Sequence, residues 1–482
     1  TGVEPYFKGT WIYDKWTEPT YPVLRLNFLN FDKNSLEKFN NKLNSKITEF
    51  AELNHVTSYK EKEEAEDSID HLLEQLRLEN RQIVILIDEY DCQMTANINN
   101  EALYKQFQEK IKSFYANLKD KLAIKFLGIT GVTRLKDVEI FSIGSDINDI
   151  TNDSAYSQMI GFTRDEIKKY YIDYLKLAAS YENNCTVDNV TEAQIESLLD
   201  RLAKNYDGYC FDEFYKKKVF STWSVNKFFQ SVVSNKFVYF GEYWYDNGGL
   251  PSILVNYLKT HELNIFEYLD KDKFLKVSSD DFKNPTALTT INQNVLMCQT
   301  GYLTLRSDLN KTSTVALGIP NGEIYKALNR LLANNIFKGN TDITDDYGRS
   351  LLEVGTVDDI INLFNSALNS VSYDNYPIVS ESSVQNMLKL YLLGAHQKVL
   401  SELHEAKGRA DLVVNTDNRR IVFEFKYAKN ETEAKSKLLD AVEQIKTRDY
   451  GNIVPKKTEL LRIATVFNAD PKVRAFTEYQ SV

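Results

Sequence analysis

Residues 408–427 read GRADLVVNTDNRRIVFEFKY, and the way this stretch divides into strands decides the fold of the C-terminal part of the chain. Ala410–Asn415 is an apolar run, Thr416–Arg419 a polar turn and Arg420–Tyr427 a second apolar run, so a hairpin is predicted. Residues two apart on a strand share a face. Glu424 and Lys426 therefore project together, and pairing across the turn brings Asp411 beside them. An apolar strand (Ile421, Val422, Phe423) is a costly place for Glu and Lys unless they are paired or bind a metal. A hard divalent cation, Mg²⁺ or Mn²⁺, takes oxygen ligands and keeps several waters. Asp411 and Glu424 can hold it, and such an ion stabilises the charge that builds on a phosphodiester in its transition state. Lys426 would then orient the attacking water or help deprotonate it. A plain buried salt bridge is the competing reading, because an acidic-x-Lys triplet alone carries little information.

Outward from the hairpin, Glu381–Leu393 is patterned as a helix, Lys398–Leu403 as a short strand, Glu431–Arg448 as a helix and Leu460–Phe467 as a final strand. The order αβββαβ is expected for a C-terminal unit over residues 376–482. Residues 161–375 form a helical middle region, rich in aromatics such as Tyr170, Tyr171 and Tyr174, or Tyr239, Phe240, Tyr243, Trp244 and Tyr245. Tyrosines beside asparagines and lysines can stack nucleobases. Packing of helices against one another is the expectation here, since no basic platform accompanies them. Gly318–Asn321 and Gly339–Arg349 are expected to be loops that separate this region from the C-terminal unit. In residues 1–160, three runs of branched residues, Pro22–Phe28, Gln82–Asp88 and Leu122–Thr130, alternate with helical stretches. That is the pattern of a parallel α/β sheet with its chemistry at the carboxyl ends of the strands. Lys60–Asp67 is a solvated charge run, and Leu72, Leu73, Leu76 and Leu78 give the end of the following helix an apolar face.

A chain of 482 residues, 43% hydrophobic and 26% charged, with nine Pro and nineteen Gly, excludes fibrous, low-complexity and wholly disordered classes. Four separated cysteines with no CxxC and five histidines with no HExxH argue against disulfide, structural-zinc and histidine-rich metal sites. No apolar run approaches the roughly 20 residues of a membrane span, and nothing at Thr1 and beyond reads as a signal peptide. The net charge of −10 is uneven: residues 381–482 hold 17 basic against 14 acidic residues, and residues 1–380 hold 41 against 54. The acidity argues against a protein that coats nucleic acid through general surface charge, and leaves the C-terminal hundred residues as the place where such a contact would fall.

Residues 381–452, with HEAKGRADLVV, RIVFEFK and DAVEQIKTRDY, resemble the PD-(D/E)XK nuclease family, commonly fused behind an AAA-ATPase-like domain in bacterial proteins. The resemblance implies a restriction-endonuclease-like fold and a metal-dependent nuclease. Matched by position, Asp411 is the motif aspartate, Glu424 and Lys426 the (D/E)xK pair, and Gln444 the helix glutamine that supports the site. Glu402 is the acid that precedes GRxD, and Glu381 is a weaker match to a first-helix acid. Gly408 fits the signature as its turn and Arg409 as a phosphate contact. Most of residues 6–310 resemble the AAA-ATPase-like partner, through YPVLRLNF, VILIDEYD, FLGITGVTRL, DINDIT, GFTRDEI, YDGYCF, VFSTWSV and QTGYLTL. The resemblance implies a P-loop-NTPase-like parallel sheet in which Asp88 holds Mg²⁺ through water, Glu89 polarises the attacking water, Thr130 senses the γ-phosphate and Arg134 contacts phosphate.

The chain departs from that pattern at the phosphate loop. It has no GxxxxGK[ST] and no Gly-Lys dipeptide, so the cradle for the β and γ phosphates is missing and ATP hydrolysis is not expected. In the family that loop precedes a segment like PYFKGTWIYD, which here begins at residue 5. Either an upstream segment has been cut away, or the lineage has lost the loop and kept the domain as a scaffold. The expectation is a metal-dependent nuclease acting on DNA, without membrane contact, in a bacterial cytoplasm or as a secreted effector. The alternative is a catalytically inactive regulator that keeps the fold to bind nucleic acid or protein. A protein partner or a homo-oligomer stays open.

Overall fold

A computed structural model describes residues 7–134 apart from 14 and 16, 147–246, 252–338 apart from 259, 260, 262, 263 and 286, 347–451 apart from 396, 406 and 407, and 458–482. Three parallel strands, β1 (Val23–Asn27), β2 (Ile83–Asp88) and β3 (Ile124–Ile129), form the N-terminal sheet in the order β1-β2-β3. Asn27 pairs with Asp88, and Ile87 with Ile129, so the three strands end level with one another. Parallel strands need crossovers, and the helices Leu36–Leu53, Ala65–Leu78 and Glu101–Ala116 supply them. Ser35 caps the first by accepting from the Lys38 amide, and its face of Phe39, Leu43, Ile47 and Phe50 is buried. In the second helix Leu72, Leu73 and Leu76 are buried as expected, whereas Leu78 is 63% exposed. Two residues beyond Leu76 is about 200° around a helix, which turns Leu78 away from the sheet.

The middle region is not helical throughout. It also carries a three-stranded antiparallel sheet of β4 (Leu275–Ser278), β5 (Thr304–Leu305) and β6 (Thr314–Gly318), in the order β4-β6-β5. Strands of two to five residues are too short to show a period. The helices Arg164–Tyr170, Ile172–Asn183, Glu192–Tyr206 and Thr222–Asn235 close around their own core of Ile167, Leu175, Leu198, Leu202, Phe228 and Phe229. Thr163 and Thr191 open two of them with capping boxes. Tyr171 stacks on Phe229 at 5.0 Å, which fits the helix-packing expectation for that tyrosine.

Within Gly318–Asn321, Ile319 and Pro320 belong to no strand or helix, as expected of a loop. Gly318 ends β6, and Asn321 caps the helix Gly322–Ile336 by accepting from the Ile324 amide at 3.0 Å. Phe337, just past that helix, meets Tyr391 of the helix Glu381–Gly394 edge to face at 5.2 Å. One buried apolar cluster takes in residues from Leu24 to Phe476. Of Gly339–Arg349, residues 339–346 lie outside the described residues, and Tyr347–Val354 is a helix.

The C-terminal sheet has the order β11-β10-β9-β8-β7, with β7 (Lys398–Glu405), β8 (Gly408–Asn415), β9 (Arg419–Ala428), β10 (Glu459–Asn468) and β11 (Ala475–Ser481). Only β9 and β10 run parallel, joined through the helix Glu431–Arg448. That helix lays Ala441, Val442 and Ile445 on Val413, Val422 and Ala464. The opposite layer sets Phe364 against Phe423 at 5.3 Å. The observed order is αβββαββ: β11 follows the strand expected to be last, as an antiparallel edge on β10. Its mostly polar AFTEYQS is edge-strand chemistry rather than a buried run. Among the described residues no helix is long and apolar enough to cross a membrane.

Candidate active site

The β8–β9 ladder runs from Asn415↔Arg420 at the turn to Leu412↔Phe423. One residue further on, the Asp411 carboxylate takes over, Oδ2 accepting from the Phe425 amide at 2.8 Å. A side chain does the work of a ladder carbonyl there, which anchors Asp411 to the strand that carries Glu424 and Lys426. β9 is the central strand, with a partner on each side. Glu424 is consequently 0% exposed. Its Oε1 accepts from Lys426 Nζ at 2.7 Å. Its Oε2 is buried and finds no hydrogen-bond partner among the described residues. Glu381, in the first turn of the helix Glu381–Gly394, stands 3.6 Å from Lys426 Nζ.

Burial pushes the Glu424 carboxyl up to about 7, the charge of Asp411 adds to the effect, and Lys426 opposes it. Burial pulls the Lys426 ammonium down, but Glu424, Glu381 and Asp411 outweigh that and leave it above its ordinary value. The structure thus gathers Asp411, Glu424, Lys426 and Glu381. Gln444 turns to a different partner, donating from Nε2 to the Tyr450 hydroxyl at 3.2 Å. Glu402 lies on β7, and its side chain is outside the described residues. Gly408 is the first residue of β8, opposite Glu405, and a Cβ there would come 2.5 Å from Arg448 Cδ. That atom belongs to a flexible side chain that could move aside. Arg409 is exposed, opposite His404.

At the N-terminal sheet, Asp88 ends β2 with both oxygens engaged, Oδ2 accepting from Asn27 Nδ2 at 3.1 Å and Oδ1 from the Thr130 hydroxyl. The three strand ends meet in this one trio. Asn27 is a member that the sequence pattern alone does not bring out, although a polar residue closing an apolar strand is the same signal that marks Asp88. Glu89 follows in a left-handed conformation, φ 56°, which side chains other than Gly, Asn and Asp rarely adopt. Burial raises its carboxyl, Asp91 and Asp88 add to the rise, and Lys33 opposes it. Asp91 is fully buried and accepts from the amides of Val132 at 3.2 Å and Thr133 at 2.7 Å, and from the Thr133 hydroxyl. It pins the segment after β3. Arg134 is ion-paired with Asp149.

Among the described residues no three His, Cys, Asp or Glu side chains group closely enough to hold a metal by themselves. The donor set at the C-terminal site is a carboxylate pair, the kind Mg²⁺ uses when it keeps most of its waters. The unpartnered buried Glu424 Oε2 fits a cation.

The C-terminal sheet thus sets the buried Glu424 beside the half-buried Asp411 and Lys426, and the N-terminal sheet is a parallel α/β sheet. Residues 379–476 match the PD-(D/E)XK nuclease superfamily, and residues 1–141 match a predicted AAA-ATPase-like domain. The chain is also similar to a protein of Azotobacter chroococcum mcd 1 described as an uncharacterized protein in the vnfD 5′ region. The two are 23% identical over 489 residues, a match that spans 98% of this chain and 86% of that protein.

Proposed function

We propose that the chain is a metal-dependent nuclease that hydrolyses phosphodiesters in DNA, with Asp411 and Glu424 as the ligands of Mg²⁺ or Mn²⁺. The observation that carries this reading is Glu424: a carboxylate withdrawn from solvent, one oxygen tied to Lys426 and the other without a partner. A divalent ion bound there supplies a Lewis acid that offsets charge on the scissile phosphate. Asp411 is held to the strand that carries Glu424 by the hydrogen bond its carboxylate accepts from the Phe425 amide. Lys426 is stabilised as the ammonium by the acids around it. It therefore donates a hydrogen bond to orient a water or a phosphate oxygen instead of taking the proton. Glu381, from the opposite layer, fixes the second side of that ammonium.

The AAA-ATPase-like domain serves as a scaffold in this reading. No phosphate loop is present in the sequence, and Asp88 is already satisfied by Asn27 and Thr130. The test is incubation of purified chain with plasmid and with single-stranded DNA, with Mg²⁺, with Mn²⁺ and with EDTA. Cleavage only when metal is present is expected. Binding without cleavage under every condition would leave the catalytically inactive alternative standing.

A further inference from the structure

The segment Phe211–Lys218, FDEFYKKK, is closed off by the bridged pair Tyr209 with Val219, next to the bridge of Phe162 with Phe220. Its centre is Asp212, which is fully buried. The Asp212 carboxylate accepts from the backbone amides of Phe214 at 3.1 Å, Lys216 at 2.8 Å and Lys217 at 3.0 Å. Three donors around one carboxylate set the loop's shape before any ligand arrives, so little ordering remains to oppose binding.

The outward side of the loop is aromatic and cationic. Phe211 and Phe214 are 37% and 41% exposed. The Lys216 ammonium stands 5.7 Å from the Phe214 ring, and that of Lys218 stands 4.8 Å from the Tyr215 ring. Tyr215 itself is held at φ 56°, a strained setting for an aromatic residue. Burial pushes its phenol up, but Arg306 and Lys218 beside it outweigh that and leave it below its ordinary value. The acids of the segment face elsewhere, Asp212 inward and Glu213 accepting from Asn310 at 3.0 Å. Lys217 is spent on the Ser154 carbonyl at 2.8 Å.

Exposed rings interleaved with ammonium groups match a ligand that alternates flat π faces with negative charges. We infer that Phe211–Lys218 is a contact surface for single-stranded nucleic acid, its phenyl rings stacking on bases and Lys216 and Lys218 pairing with phosphates. The inference builds on the nuclease reading by giving the chain a second grip on its substrate, outside the basic C-terminal hundred residues. A duplex, which hides its base faces, fits this surface less well.

The experiment is fluorescence anisotropy of a labelled oligothymidylate of about twenty nucleotides with the full chain in EDTA, over a series of salt concentrations. Lys216→Ala with Lys218→Ala should weaken binding about tenfold and lower the slope of log affinity against log salt by about 1.4. Phe214→Ala should weaken it about fivefold or more and leave the slope unchanged. If the parent does not bind, or if these variants keep its affinity and slope, the inference is overturned. Should Phe214→Ala melt early, the surface lysine pair decides alone. Cleavage of plasmid by the Lys216→Ala, Lys218→Ala chain and by Asp411→Asn with Mg²⁺, measured separately, tests the nuclease reading. The two ideas can therefore fail independently.

Discussion

The chain places carboxylates at the ends or breaks of apolar strands in both of its larger sheets, and uses them in opposite ways. Asp88 ends β2 in solvent, and each of its oxygens accepts a hydrogen bond, from Asn27 and from Thr130. Glu424 sits on β9 out of reach of solvent, with Oε2 unpartnered and Asp411 adding a second negative charge. A hydrated, saturated carboxylate is at rest, whereas a buried half-satisfied one raises the free energy of the fold until a cation or proton arrives. Acidic residues close or interrupt apolar strands in both sheets, and Glu424 is the one of them whose buried oxygen finds no hydrogen-bond partner among the described residues.

Breaking the comparison at its strong end gives the largest effect. Glu424→Gln should lower plasmid cleavage on the order of a thousandfold, while Asp88→Asn leaves the rate within about twofold. Equal losses in both variants would erase the distinction between the two sites.

A third carboxylate sharpens the contrast. Glu323 is buried like Glu424, but both its oxygens are used, Oε2 accepting from the Ser224 hydroxyl at 2.6 Å and Oε1 from the Trp244 amide at 2.9 Å. Burial nevertheless pushes its carboxyl from 4.5 up to about 7. The folded chain therefore keeps a proton there that the unfolded chain has lost above pH 4.5, so stability falls as pH rises between those values and levels off above about 7. The full span is about 3 kcal/mol. Melting temperatures of the parent should decline from pH 5 to pH 7, and Glu323→Gln should flatten that decline.

Metal linkage should come next in size. Mg²⁺ or Mn²⁺ at a hundredfold excess over its dissociation constant stabilises a one-site protein by about 2.7 kcal/mol. Calorimetric scans without DNA should show the upward shift in the parent and in Asp88→Asn, and none in Glu424→Gln. The smallest expected effect belongs to the saturated trio: Thr130→Ala removes one hydrogen bond to Asp88 and should cost about 1 kcal/mol, with cleavage unaltered.

Much of this was legible in the sequence because both large sheets rest on runs of branched residues. QIVILID and RIVFEFK announce buried strands whatever lies around them. The Asp411, Glu424 and Lys426 group was legible for the same reason, since strand alternation fixes which residues meet. The strands β4 to β6 and β11 were not, because short or edge strands carry too few apolar residues to set a period. Contacts made between distant segments left no local mark. Nothing in GIPNGEIY announces that Glu323 will bond to Ser224 and Trp244, and the Arg134–Asp149 pair could be known only once the chain was folded. The aromatic and basic residues of FDEFYKKK were not singled out in the sequence, where the middle-region aromatics read as helix packing. The significance of that loop depends on Asp212 being buried, which only the fold reveals.

The most direct measurement sets Asp411→Asn beside the parent and Asp88→Asn in a metal-dependent plasmid cleavage assay, each protein first shown to melt as the parent does. Loss of cleavage in Asp411→Asn, with Asp88→Asn cutting at the parent rate, is the predicted result. An Asp411→Asn protein that cuts as fast as the parent in Mg²⁺ or Mn²⁺ would contradict the assignment of the active site.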